Sequence, residues 1–164
     1  MELIREPELL ILDEPTTGLD PVTRNQIITI LSNLSRYQHK TILITTHFMD
    51  DAEECDEVMI ITNKKIVAKG SPEKLKKMLP GFGKIVNIIL DNSDKTLLGK
   101  INQIKGVKKV VTEGRTLNIL MNNPNAVEIA NEIHKHGGYV NESRISKATM
   151  KEVFVFFTGE NPED

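Results

Sequence analysis

The chain has 164 residues, 39% apolar and 27% charged, with a formal net charge of −2. That balance excludes a disordered chain, and it excludes a chain-wide basic field for gripping nucleic acid. The single cysteine, Cys55, rules out an internal disulfide framework, and no apolar run approaches the ~20 residues of a membrane-spanning helix.

In chain order, Met1 to Pro7 carries no signal-peptide pattern. The unbroken apolar run at 9–13 ends in an acid, which predicts a parallel strand buried on both faces. Loop residues 14–20 follow. Asp20-Pro21 then predicts a helix start, with Asp20 as N-cap and Pro21 at the first helical position. Ile27, Ile28, Leu31 and Leu34 recur at helical spacing, which carries that helix to about Tyr37. Thr41 to Thr45 reads as a second buried-type strand and Phe48 to Glu54 as a short acidic helix. Two strands, 57–62 and 65–69, are predicted to meet in a hairpin at Asn63-Lys64. Ser71-Pro72 caps a further helix that ends before Pro80-Gly81.

This alternation is that of an α/β layer fold. Beyond Gly83 the pattern changes to a strand at 84–91, a helix at 93–104, strands at 107–112 and 115–121 hinged at Glu113-Gly114, a helix at 125–136 and a strand at 139–145. The order βαββαβ predicts a ferredoxin-like, split-βαβ unit. A closing apolar helix runs from Thr149 to Phe157 and stops at Gly159. The expected division is therefore residues 1–82 and 83–164.

Asp13 stands at the carboxyl end of a parallel strand, where open α/β sheets bind ligands. A carboxylate there suits a hard cation such as Mg²⁺, which prefers oxygen ligands and keeps part of its water shell. Glu14 follows immediately, so one acid can serve a metal while the other orients or deprotonates a water. His47, just past the second strand in Thr45-Thr46-His47, can donate a hydrogen bond to a phosphate oxygen.

On these residues the first half of the chain resembles the ATPase subunits of ABC transporters. Leu9-Leu10-Ile11-Leu12-Asp13-Glu14-Pro15-Thr16-Thr17-Gly18-Leu19-Asp20-Pro21 is similar to their Walker B and D-loop segment, and Ile44-Thr45-Thr46-His47-Phe48-Met49-Asp50-Asp51-Ala52-Glu53 to their H-loop. The stretch Ile66 to Pro72 resembles the strand and turn that follow. The resemblance implies ATP and Mg²⁺ as cofactors. Asp13 would be the acid that holds Mg²⁺ through water, Glu14 the catalytic glutamate, and His47 the switch histidine at the γ-phosphate. Gly18 and Asp20 would belong to the loop that reaches across a nucleotide-binding dimer. It further implies a second ATPase subunit and a membrane permease as partners, with the protein cytoplasmic and peripheral at the inner face of the membrane. No nucleic-acid partner is expected.

Residues 84–157 resemble the small C-terminal domain on ATPase subunits of ABC-2-type exporters, such as those of antibiotic and daunorubicin resistance. Ala148 to Gly159 carries most of that likeness. A packing or dimer-contact role and a small-molecule sensor both remain open for this part. For the whole, an exporter ATPase subunit stands beside an ATPase of the same superfamily serving DNA repair or the ribosome, and beside a non-catalytic remnant kept for its C-terminal part.

The sequence departs from the family pattern in two ways. No glycine begins the phosphate-loop pattern G-x-x-x-x-G-K-[ST], and no stretch matches the family's Leu-Ser-Gly-Gly-Gln signature. The expectation is a fragment: a truncated product, a mis-called start, or a half expressed separately. In the family the phosphate-loop strand lies between the strands matching 41–45 and 57–62. Its absence predicts a partial parallel sheet with a gap and uncovered apolar edges, and a chain without ATPase activity by itself. Elsewhere, Asp50, Asp51, Glu53 and Glu54 read as a solvated helix face, Lys74, Lys76 and Lys77 as an exposed one, and Cys55 as a small buried hydrophobe. His134 and His136 read as cations suited to a helix C-terminus.

Overall fold

The computed structural model describes residues 7–91 and 95–160, so the Met1–Glu6 reading and the expected first turn of the helix at 93–94 lie outside the described residues. Strands β1 (Leu9–Asp13) and β2 (Thr41–Thr45) pair in parallel, from Leu9 opposite Thr41 to Asp13 opposite Thr45. Helix α1 (Pro21–Gln38) connects them. Its start is fixed as its sequence dictates: Asp20 Oδ1 accepts from the N–H groups of Val22 at 3.0 Å and Thr23 at 3.1 Å, and Pro21 occupies the first turn. His39 ends it in the left-handed conformation.

The two strands are not buried on both faces as their apolar runs predict. β1 and β2 form a sheet of their own, joined to no further described strand. Alternation along paired strands places Leu9, Ile11 and Leu43 on one face, and all three are exposed, Ile11 by 63%. Leu10, on the opposite face, is buried. Strands β3 (Val58–Thr62) and β4 (Lys65–Gly70) form a separate antiparallel hairpin turned by Asn63 and Lys64, both at positive φ (50° and 62°). Its outer side also leaves Met59, Ile61 and Ile66 exposed. Helices α2 (Met49–Glu53) and α3 (Pro72–Lys77) flank this hairpin in the chain.

The third sheet is larger. Its strands are β5 (Lys84–Leu90), β6 (Val107–Glu113), β7 (Thr116–Met121) and β8 (Val140–Lys147), with helices α4 (Lys95–Asn102) and α5 (Ala126–Lys135) between β5 and β6 and between β7 and β8. The spatial order is β6-β7-β5-β8, and every neighbouring pair is antiparallel. Even-numbered residues of β5 (Val86, Ile88, Leu90) and odd-numbered ones of β7 (Leu117, Ile119, Met121) pack with Leu97, Ile101, Ile129 and Ile133 of α4 and α5. The opposite face contributes Ile85, Val111 and Leu120 to a second cluster. There they meet Met150, Val153 and Val155 of α6 (Met150–Thr158), Ala52 of α2, Ile60 and Ala68 of the hairpin, and Leu75 of α3. This cluster draws on residues from both sides of position 83.

Local stability should follow this division of burial. Amide exchange is expected to be slowest in β5 and β7 and fastest, among the strands, in β1 and β2, which have open edges and one bare face. Deuterium uptake followed by mass spectrometry checks this. Strong protection of 9–13 and 41–45 in a monomeric sample would contradict it.

Candidate functional site

Because β1 and β2 are parallel and in register, Asp13 and Thr45 end side by side, and the loops after them leave from one rim. The Thr45 hydroxyl donates to Asp13 Oδ1. Glu14 turns the chain in the left-handed region, φ 45°, a conformation with a steric cost for a residue bearing a Cβ. Hydrogen bonds hold it there: the Glu14 N–H donates to Thr45 O and Thr45 Oγ1, each at 3.1 Å. The Glu14 carboxylate is gripped on both sides, with Thr17 Oγ1 donating to Oε2 at 2.9 Å and His47 Nδ1 lying 3.3 Å from Oε1. Both side chains stay about half exposed. The His47 ring leans on Phe48, centroids 4.0 Å apart, and the Arg24 guanidinium caps Phe48 at 3.5 Å.

The structure thus brings Glu14 and His47 into direct contact and links Asp13 to them through Thr45. With Nδ1 turned to a carboxylate, His47 is oriented to offer Nε2 to a second partner. Asp20 is differently employed. Its Oδ1 caps α1, its Oδ2 accepts from Thr23 Oγ1 at 2.6 Å, and these bonds, the Thr23 hydroxyl's first, hold its carboxyl below the usual range. Gly18 sits at φ 80° with open space where a Cβ would point, so it lets the loop turn back towards the α1 cap.

Other residues depart from the sequence reading. Asp51 is not a solvated acid: it is 2% exposed and accepts from Thr16 Oγ1 at 2.6 Å and Thr46 Oγ1 at 2.9 Å. Glu53 and Lys76 are not simply exposed either; they pair at 2.5 Å with both side chains largely covered. Cys55 is half-buried, and burial, more than its acidic neighbours, raises its thiol pKa. His134 and His136 do stand at the C-terminus of α5 as expected, His134 in its last turn with Nε2 accepting from the Val140 N–H at 3.5 Å and His136 as its C-cap.

Among the described residues no group of three or more His, Cys, Asp and Glu is arranged to hold a metal ion. The donors at the rim fit a cation that needs few protein ligands. Asp13 is exposed and keeps one oxygen outside its bond to Thr45, which suits Mg²⁺ held through water and completed by phosphate. The residues present fit the terminal-phosphate end of a nucleotide; the remainder of a nucleotide has no phosphate loop here to hold it.

No protein-family model matches the chain. Along 99% of its length it is 35% identical to the Nod factor export ATP-binding protein I of Cupriavidus pinatubonensis and covers 47% of that protein. Over 74 residues, 45% of this chain and 13% of the relative, it is 42% identical to the probable multidrug ABC transporter ATP-binding protein YbhF of Escherichia coli. Among solved structures, cbiO1 of Clostridium perfringens, part of an ABC transporter complex, aligns with 63% of this chain and 35% of its own at 29% identity and a TM-score of 0.43. The chain spans half or less of the length of the curated relatives it matches.

Proposed function

We propose that this chain, which belongs with the ATP-binding proteins of ABC transporters, supplies the hydrolytic rim of an ATPase subunit in an ABC-2-type exporter. The observation that carries the reading is the Glu14–His47 contact at the shared carboxyl ends of two parallel strands, with Asp13 tied in beside it. MgATP, when bound, supplies the electrophilic terminal phosphate and the charge that Asp13 would face through water. Glu14 orients a water and takes up its proton, because its carboxylate is fixed by Thr17 and His47 yet still half exposed. In its doubly protonated form His47 holds Glu14 through Nδ1 and donates from Nε2 to a phosphate oxygen.

The remaining groups around the nucleotide come, in this reading, from the half of the relatives that the chain does not span. The bare faces at Leu9, Ile11 and Leu43 and at Met59, Ile61 and Ile66 support it, since further elements packed over them would cover apolar surface now in water. We divide the chain at 82/83 into a partial ATPase unit and an accessory unit. The strand order β6-β7-β5-β8 with antiparallel neighbours supports a ferredoxin-like assignment for the latter. No helix among the described residues is long and apolar enough to cross a membrane. In this reading, which follows the family, contact with the membrane runs through a permease, and turnover needs a second ATPase subunit.

Joining the chain, as a fusion or by co-expression, to the phosphate-loop and signature half of a full-length relative is expected to give ATP turnover, with none measurable from the chain by itself. Steady turnover by the isolated chain, abolished by Glu14→Gln, would contradict the need for the other half. A joined assembly that binds MgATP but never hydrolyses it would sink the hydrolytic reading.

A further inference from the structure

Helix α2 is five residues long, and such a helix has almost no hydrogen bonding of its own to hold it in place. Its position is set by what its side chains grip, and two carboxylates grip in different directions. Asp51 Oδ2 receives both the Thr16 and the Thr46 hydroxyls. Thr16 lies two residues after Glu14, and Thr46 immediately precedes His47. The Thr46 hydroxyl also accepts from the Phe48 N–H at 3.0 Å. One buried oxygen therefore ties the loop that carries Glu14 to the loop that carries His47. A carboxylate this deeply buried is tolerated only while its donors stay in place, so the tie favours one arrangement of the two loops.

Glu53 grips elsewhere. Its Oε1 accepts at 2.7 Å from the N–H of Met150, the first residue of α6, and its Oε2 pairs with Lys76. Ala52, between the two acids, belongs to the same apolar cluster as Met150 and Val153. Helix α6 is bound in turn to the four-stranded sheet through Glu152 and Asn118. Polar and apolar contacts run without a break from the loops at the rim, through α2, to the C-terminal sheet.

We infer that α2 is a positioning element for the Glu14–His47 pair: Asp51 and Glu53 are positioning residues, through which the seating of α6 sets the geometry at the rim. The functional weight of this inference rests on the hydrolytic reading of Glu14 and His47; the geometric claim does not, and its test uses no nucleotide.

The experiment is nuclear magnetic resonance on the full chain, comparing it with Asp51→Asn, Glu53→Gln and the control Glu57→Gln, whose carboxylate pairs with Lys69 on the surface. The readouts are the dipolar cross-peak between the His47 ring and the Glu14 side chain, and amide exchange at Glu14 and Phe48 relative to Ile119 in the core of the sheet. In Asp51→Asn and Glu53→Gln the cross-peak is expected to weaken. Exchange at Glu14 and Phe48 is expected to rise about tenfold over Ile119, the size of effect that loss of a charge-assisted hydrogen bond permits. Glu57→Gln is expected to change neither. A cross-peak of undiminished intensity in Glu53→Gln, or exchange that rises equally at all three amides, overturns the inference. If Asp51→Asn does not fold, the partly covered Glu53 site decides alone. Absence of the cross-peak from the unsubstituted chain would sink the rim geometry itself, and the functional reading with it.

Discussion

Replacing Glu152 by Ala is expected to cost the fold about 3 kcal/mol, whereas replacing it by Gln is expected to cost about 1 kcal/mol or less. Glu152 is 1% exposed, on the face of α6 turned to the four-stranded sheet. Its Oε1 accepts from Asn118 Nδ2 at 2.7 Å, and its Oε2 accepts from the Thr149 N–H at 2.7 Å and the Thr149 hydroxyl at 2.8 Å. Ala removes an acceptor from three donors, one of which, the Thr149 N–H, belongs to the capping box of α6. Each stranded donor costs of order 1 kcal/mol, against a typical total stability of about 5–15 kcal/mol.

Gln keeps one acceptor oxygen for Thr149 and turns an NH₂ group towards Asn118. Asn118 can answer by reversing its amide, which points its own NH₂ group at Asn87. In the native arrangement Asn87 Nδ2 donates to Asn118 Oδ1 at 2.6 Å, while Asn87 Oδ1 is buried without a donor. If Asn87 reverses as well, its carbonyl oxygen is satisfied and only its NH₂ group changes surroundings. The row of amides can thus run in either direction, and the carboxylate selects one. Urea unfolding reads the difference as a shift in midpoint at unchanged slope. Equal losses for Ala and Gln would show that the amide row is rigid and the explanation wrong.

The same residues show why some of this structure was legible and some was not. Asp20-Pro21, Ser71-Pro72, Asn63-Lys64 and Gly159 act on backbone within a few positions of themselves, and each begins or ends the element its chemistry predicts. The rim was legible for a related reason. An acid pair and a histidine just beyond two apolar strands must lie together once those strands pair in parallel and in register, as they do. Burial was not legible. Whether Ile11 or Leu43 is covered depends on what packs over that face of β1 and β2, and a local run of apolar residues carries no information on that. Asp51 and Glu53 were misread because a short acidic helix looks solvated until its partners are known. The farthest of those partners stand 35 residues away at Thr16 and 97 away at Met150. The polar loops after β1 and β2 held the one available signal, since Thr16 and Thr46 need acceptors if they are buried.

In the joined assembly, Glu14→Gln is expected to lower kcat by about 10²–10⁴-fold, the range for loss of a positioned general base. KM should hardly move, because Gln keeps the shape of Glu14 and can still accept from Thr17, so what is lost is an interaction made in the transition state. His47→Ala is expected to lower kcat by about 10²–10³-fold, the effect of removing one donor aimed at developing charge. The two losses should not add. His47 Nδ1 lies 3.3 Å from Glu14 Oε1, so each side chain orients the other and removing either disables both. The double variant is therefore expected to fall no more than about threefold below the worse single variant, where independent action would multiply the two losses. Steady-state kinetics at saturating MgATP on the three variants decides it. Multiplicative losses would mean that the contact seen at the rim is incidental, and that Glu14 and His47 meet their substrates separately.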